Sequence, residues 1–495
     1  MMKDLIARLF GGLLPNSAPA NSPAQAGIEP HAPDAVVDAF APRPPSAAPA
    51  GAGRKSNRIV VDVVRRCDSV AGLMAYLVDC DGFVRQAAVR RAAELGMPGL
   101  LPGVAARLND WVAPIRRDAR EAVLALLSRL DPATDAGTGF EVLLQVRHLR
   151  HARREDHADW IRQFEQRLVD TVGAQRILDA IGSSHPPIAQ ACFDVALTHR
   201  LADTATLCRL ALNNKGNIVL ARQSVELVHG LPDADRDGVY RQALASRAGE
   251  VRAQALRALL GADASAPLVL AESMLSDGNT WVRRVAGNFL TQQGVDVPAA
   301  HARRIAAAGS DSRVLRASLA GLAESGGKDH LDLVRAHAAH PLARVQVAAY
   351  LAWLHLAPAE KDDIALRVLH SPHGRVRKLF AVFTRKAGAY VPIDIALSSM
   401  HAHGDIDQML ALAKSSSWTL LEVVAKLGTD AHGDAVLTQK LRDALGAWAL
   451  STVRGYARPA PAQQDFLRQA AVQQTLLALA SHGARQELLE EFKGL

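Results

Sequence analysis

Cysteine is scarce in this 495-residue chain: Cys67, Cys80, Cys192 and Cys208 are all there is, and none forms a Cys-x-x-Cys pair. That spacing excludes the common thiolate metal and dithiol redox motifs and leaves reduced, buried thiols as the expectation. Uninterrupted apolar runs long enough to span a bilayer are missing, so no transmembrane helix is expected. Lysine is also sparse, 11 of the 57 basic residues, and against 50 acids the formal charge is +7. An excess that mild over such a length permits an acidic partner without requiring one. The signatures of chemistry are absent as well. There is no Gly-rich phosphate loop, no Gly-x-Ser-x-Gly elbow and no His-Glu-x-x-His sequence.

What is present is a rhythm. A β-branched residue opens an amphipathic run at Val251, Val282, Val314, Val345 and Val376, with steps of 31, 32, 31 and 31 residues. The same opening stands upstream at Val84 and Ile115, and again at Ile188 and Ile218. Val282, Ala286, Phe289 and Leu290 share one helical face, and Val251, Ala255, Ala258 and Leu259 repeat that spacing. The remainder of each period also reads as helix, so one unit is helix, tight turn, helix. Neither helix buries its stripe alone; units must stack on one another. The expectation is all-α, an α-solenoid with a period of about 31 residues.

An acid in the intra-unit turn is followed six positions later by arginine in three units: Asp79 with Arg85, Asp110 with Arg116, and Asp277 with Arg283. Arg252 and Arg377 keep the arginine without that acid, while Ile188, Ile218, Val314 and Val345 are not followed by arginine. With these features the chain resembles the HEAT repeats, and in particular their short bacterial, bilin-lyase-type HEAT-like form. The resemblance implies that the Asp and Arg hydrogen-bond between successive units as a structural ladder. It is specific for architecture and names no ligand. A di-iron hydroxylase branch of such repeats uses His-Glu pairs, and this chain has no His-Glu dipeptide. Alkylation-repair glycosylases hold DNA in a HEAT-like groove, but their local signature finds no place here.

In chain order, residues 1–14 read as an amphipathic helix with Leu5, Ile6, Leu9, Phe10 and Leu13 on its apolar face. It suits docking to a partner groove or peripheral contact with a membrane; a secretory signal fits less well, because Asp4 and Arg8 interrupt the segment. Residues 15–57, rich in Ala, Pro and Ser, read as a disordered tether. The repeat array is expected over 58–455, followed by a helical cap over 462–495 formed by two helices, Gln463 to Ser481 and Ala484 to Phe492.

The rhythm fails between Ile115 and Ile188 and blurs again after Val391. Ile115 and Ile188 lie 73 residues apart, which places an irregular insertion near 140–175. It contains Arg147, Arg150, Arg153 and Arg154, then Trp160. Arg147, Arg150 and Arg154 would share one face of a continuous helix, a stripe suited to phosphate or carboxylate; its alternative is a solvated face neutralised by Glu155 and Asp156. His148 and His151 have helical spacing but no acid or Cys completing a metal set, and His401, His403 and His432, near Asp405 and Asp407, read as polar loop. The resulting expectation is a cytoplasmic, non-catalytic scaffold that binds a protein partner on its concave helical surface. It needs no cofactor, metal or small-molecule substrate, and nucleic acid bound through the arginine stripe is the alternative.

Overall fold

The computed structural model describes residues 53–152, 156–261, 267–413, 416–431, 433–451 and 458–495. The expected docking helix, nearly all of the expected tether, Arg153, Arg154 and His432 lie outside them. Every regular element among the described residues is helical, and the helices form a repeat solenoid. They belong to two compact units that divide between residues 264 and 265. The core of the first runs from Val64 to Leu220; a core from Ile305 to Leu488 lies in the second.

The sequence rhythm is the starting edge of each unit's second helix. These helices are Gly82–Leu95, Ala113–Leu127, Pro186–Thr198, Ile218–Val228, Gly249–Gly261, Thr280–Gln292, Ser312–Glu324, Ala343–Leu356 and Gly374–Arg377, the last continued by Leu379–Ala387. Short polar side chains start several of them. Asp81, Asn217, Asn279 and Asp311 accept the N–H of Phe83, Leu220, Trp281 and Arg313, satisfying donors that the first turn leaves open. Gly96, left-handed at φ 64°, ends the helix Gly82–Leu95.

From such a start, positions acquire fixed roles. The third helical residue is the repeated apolar one, and Val84, Ile115, Val251, Val282, Val345 and Val376 are all buried there. At Ile188 and Val314 that residue is half-buried and the next one, Ala189 or Leu315, enters the core. Ile218 does not belong to the series. It is the first helical residue and half exposed, while Leu220 occupies the buried third place. The cap at Asn217 shifts the start, since helical register counts from the cap and not from the first β-branched residue.

Three other expectations change. The first helix is Gly53–Arg66, beginning inside the segment read as tether, because Val64 anchors it in the core and the helix extends N-terminally from there. The irregular interval holds the helices Ala136–His148, Ala158–Val172 and Ala174–Ala180, and the continuous helix that would align Arg147 with Arg150 ends at His148. The C-terminal segment has three helices, Pro461–Leu467, Ala470–Leu479 and His482–Lys493. Gln469 is extended between the first two, and the Gln473 side chain bonds the Leu467 carbonyl at 3.1 Å, so the chain turns where a continuous helix was expected.

Candidate functional site

The arginine that follows the buried third residue points back across its own turn. Arg85, Arg116, Arg252, Arg283 and Arg377 each donate from Nη1 to the backbone carbonyl six residues earlier, on Asp79, Asp110, Ser246, Asp277 and Ser371, at 2.7 to 3.0 Å. The bond uses a carbonyl, so it forms whether or not the turn residue is acidic. Gln346 does the same through Nε2 to the His340 carbonyl at 2.7 Å. Buried turn carbonyls need a donor, and a long side chain in the first turn is within reach.

The acid enters from a neighbouring unit. Arg85 grips Asp110 with Nε at 2.9 Å and Nη2 at 3.0 Å, both side chains buried, and its guanidinium lies 5.5 Å from the Trp111 ring centre. Arg283 pairs in the same forked manner with Glu324, and Arg377 donates from Nε to Asp405. The turn carboxylates of Asp79 and Asp277 also accept the local N–H of Asp81 and of Asn279. Where the arginine is missing at Ala221, the preceding turn supplies another device: Asn214 Nδ2 donates across to the carbonyls of Ile181 and Ser183.

The expected arginine stripe does not lie along one helical face. The helix ends at His148, and Arg150 sits on a separate 3-10 turn, Leu149–His151. Arg147 Nη2 donates to Asp194 at 2.5 Å, and Arg150 Nη2 to Glu165 at 2.7 Å. Glu165 is buried, and its other oxygen is 3.4 Å from His199 Nε2. Burial raises the Asp194 carboxyl above its ordinary range, with Arg147 and Arg150 opposing that shift. Trp160 is buried and stacked on Phe164, with its indole N–H unpartnered among the described residues. These two arginines therefore hold the irregular interval against its neighbours.

A pocket that sequence reasoning missed opens around Trp353. Its volume is about 420 Å³, and its walls include Arg335, Tyr350, Glu360, Asp363 and Arg367. The guanidiniums of Arg335 and Arg367 lie 5.5 and 5.6 Å from the Trp353 ring centre, while the indole N–H donates to Glu360 at 2.8 Å. Arg335 pairs with Glu360 and Asp332, and Arg367 with Asp363, so the lining is charge-balanced. Four separate elements supply these residues, and no local motif marks them.

The remaining conspicuous side chains are exposed apolar ones at the turns. Phe83 is 72%, Trp111 52% and Trp281 54% exposed. His401 and His403 form the last turn of the helix Ile393–His403 rather than a loop, because Gly404 in a left-handed conformation caps the helix after them; His403 Nδ1 lies 2.9 Å from the Ser399 carbonyl. Among the described residues, no group of three or more His, Cys, Asp or Glu is placed to hold a metal, and no helix is long and apolar enough to cross a membrane. Cys192 and Cys208 are buried and free, but Cys67 is half-buried and Cys80, in the first turn of the array, is exposed, contrary to the expectation of four buried thiols.

No family model matches the chain, and no curated protein matches it. Among solved structures, a crystal structure of Kap121p is 13% identical, covering 85% of this chain and 47% of that one, with a TM-score of 0.24. This chain thus spans about half the length of that protein. A structure from work on a phosphorylation switch in the interaction between cadherin and beta-catenin is 11% identical, covering 89% of this chain and 97% of that one, with a TM-score of 0.20. Superpositions this loose establish no family and no ligand.

Proposed function

We propose that this chain is a non-catalytic adaptor of the HEAT-like type that binds a protein partner on its helical surface. The observation that carries the reading is the exposure of Trp111 and Trp281, two of only six tryptophans, at the turn edges of their units. Tryptophan is the residue most enriched among the anchors of protein interfaces, where a large ring is desolvated by the partner. Residues 1–14, through Leu5, Ile6, Leu9, Phe10 and Leu13, act in this reading as a recruiting segment, which rests on their sequence pattern. Nucleic-acid binding through Arg147 and Arg150 is the lesser reading, because both guanidiniums are engaged with Asp194 and Glu165.

The test is site-specific photocrosslinking in native lysate, with a photoreactive residue at position 111 or 281 and nuclease present throughout. A discrete crosslinked protein, lost when an untagged unsubstituted chain competes but retained when that competitor carries Trp111→Ser or Trp281→Ser, supports the adaptor. No discrete crosslinked protein under these conditions overturns it.

A further inference from the structure

Just before the buried third residue, the second helical position faces solvent in every unit of the series. From residue 82 to 250 it carries Phe83, Pro114, Pro187, Val219 and Glu250, a mixture without a theme. From 281 to 375 it carries Trp281, Arg313, Arg344 and Arg375. Three residues further on the same helical face stand Arg284, Arg316, Val347 and Lys378. Arg284, Arg313, Arg316, Arg344, Arg375 and Lys378 are all exposed. Among the described residues none of the six has an acidic partner, and Arg284 alone has a ring contact, lying over Trp281 at 5.2 Å. The helices that carry them pack side by side in order, so the cations form one row.

This row is not explained by stability. The helices Thr280–Gln292, Ser312–Glu324 and Ala343–Leu356 have no acid in their first turns. Arg313 and Arg344 instead place positive charge at helix starts, where the backbone dipole favours negative charge. Asp311 caps the helix that carries Arg313, and its carboxylate accepts the N–H of Arg313 and Val314. By contrast, Arg85, Arg147, Arg150, Arg283 and Arg377 all have acids. Six exposed cations without an acidic partner among the described residues, gathered on one edge and two of them set against the dipole, mark a surface whose negative charge comes from elsewhere.

We infer that this row docks an acidic, extended segment of a partner protein, one glutamate or aspartate per unit. The inference rests on the adaptor reading and names the partner's chemistry. Packed helices repeat at about 10 Å, and a polyproline-type chain advances about 9 Å in its three-residue turn. An acid at every third position of such a chain therefore meets one arginine after another, with Arg supplying the forked geometry that a carboxylate accepts. Trp281, Leu342 and the half-buried Val347 put apolar surface within the row. A partner with aliphatic side chains between its acids can use Leu342 and Val347 as well as Trp281, whereas nucleobases need ring platforms, of which these three residues supply only Trp281, and this favours a protein segment over nucleic acid.

The experiment uses the full chain and three fluorescent probes: a peptide of Glu-Pro-Val repeats, the same residues with the glutamates in one block, and an oligothymidylate. The spaced peptide is expected to bind best, in a salt-sensitive manner. Arg313→Glu, Arg344→Glu and Arg375→Glu together should weaken it by at least about tenfold, and the corresponding triple Gln variant should weaken it less, with unfolding curves showing both folded. No binding of the spaced peptide, equal binding of the blocked one, tighter binding of the oligothymidylate, or indifference to the substitutions overturns the inference. If the peptide fails while crosslinking at position 111 persists, the adaptor reading survives; if both fail, neither does.

Discussion

Arg85 and Asp110 stand 25 residues apart and meet through two hydrogen bonds in the buried interior of the stack, Nε to Oδ2 and Nη2 to Oδ1. Gln346 and Ser371 stand at the same interval and meet at 3.4 Å through Ser371 Oγ and Gln346 Oε1. One pair is ionic and the other neutral, yet both lock a unit to the next while Arg85 and Gln346 also bond the carbonyl six residues back. Removing Asp110 leaves Arg85 and Arg107 without their shared carboxylate. Asp110→Ala should cost about 3–5 kcal/mol, the usual penalty for orphaning a buried charge, measured by chemical denaturation.

The two pairs should be exchangeable only as pairs. Gln346→Arg alone buries a charge opposite a serine and should destabilise the protein, as should Ser371→Asp alone. Together they recreate the Arg85–Asp110 arrangement, and the double variant should recover at least about 1 kcal/mol over the sum of the single losses in a double-mutant cycle. Additive losses would mean that the interval, though shared, does not place the two side chains equivalently.

His301 should make the protein acid-sensitive. It is 1% exposed, and burial, with Arg283 and Arg304 adding to it, pushes the imidazole down to about 3 from an ordinary value of 6.5. The unfolded chain therefore binds an extra proton between those values, so stability is complete above about pH 6.5 and falls as the pH drops towards 3. From pH 7 to 5 this one group should cost on the order of 2 kcal/mol. His301→Gln should flatten that part of the pH profile in guanidinium titrations at the two pH values.

Gly321 should tolerate no side chain while His301 is present. A methyl group there would overlap the His301 imidazole, whose Cε1, Nε2 and Nδ1 all lie within 3 Å of where it would sit. Gly321→Ala should lose about 1–3 kcal/mol through overpacking. Combining it with His301→Ala should return part of that loss, visible as a higher thermal midpoint than that of Gly321→Ala alone.

Native thiols should separate by position. Burial pushes Cys192 up to about 12 and Cys208 up to about 11, so neither presents a thiolate near neutrality. Cys80 is exposed. Iodoacetamide at pH 8 should alkylate Cys80 in the native protein and reach Cys192 and Cys208 only after denaturation, as read by peptide mass spectrometry.

The helix-turn-helix period was legible because stacking imposes the same burial requirement once per unit, and Val84, Ile115, Val251, Val282, Val345 and Val376 meet it with the same kind of residue. Ile218 misled because a β-branched residue also stands comfortably exposed in a first turn; only the Asn217 cap shows that Leu220 is the one turned inward. The Arg147 stripe misled for a related reason. Helical spacing was counted through Leu149, where the chain leaves the α-helix, and the acids that engage Arg147 and Arg150 lie 47 and 15 residues further along. The Trp353 pocket had no local signature at all, since its charges balance only when separate helices meet.

By itself, then, the sequence determined the class of the fold, the period of the repeat and the places where arginine recurs, because each follows from spacing along the chain and the need of paired helices to bury their stripes. The tertiary structure decided which charges are consumed. Arg85, Arg147, Arg283 and Arg377 find acids elsewhere in the chain, whereas Arg313, Arg344 and Arg375 find none among the described residues, and sequence distance carries no information about that difference. Ion pairing depends on a few ångströms between side chains brought together by packing, and those distances exist only once the units have stacked.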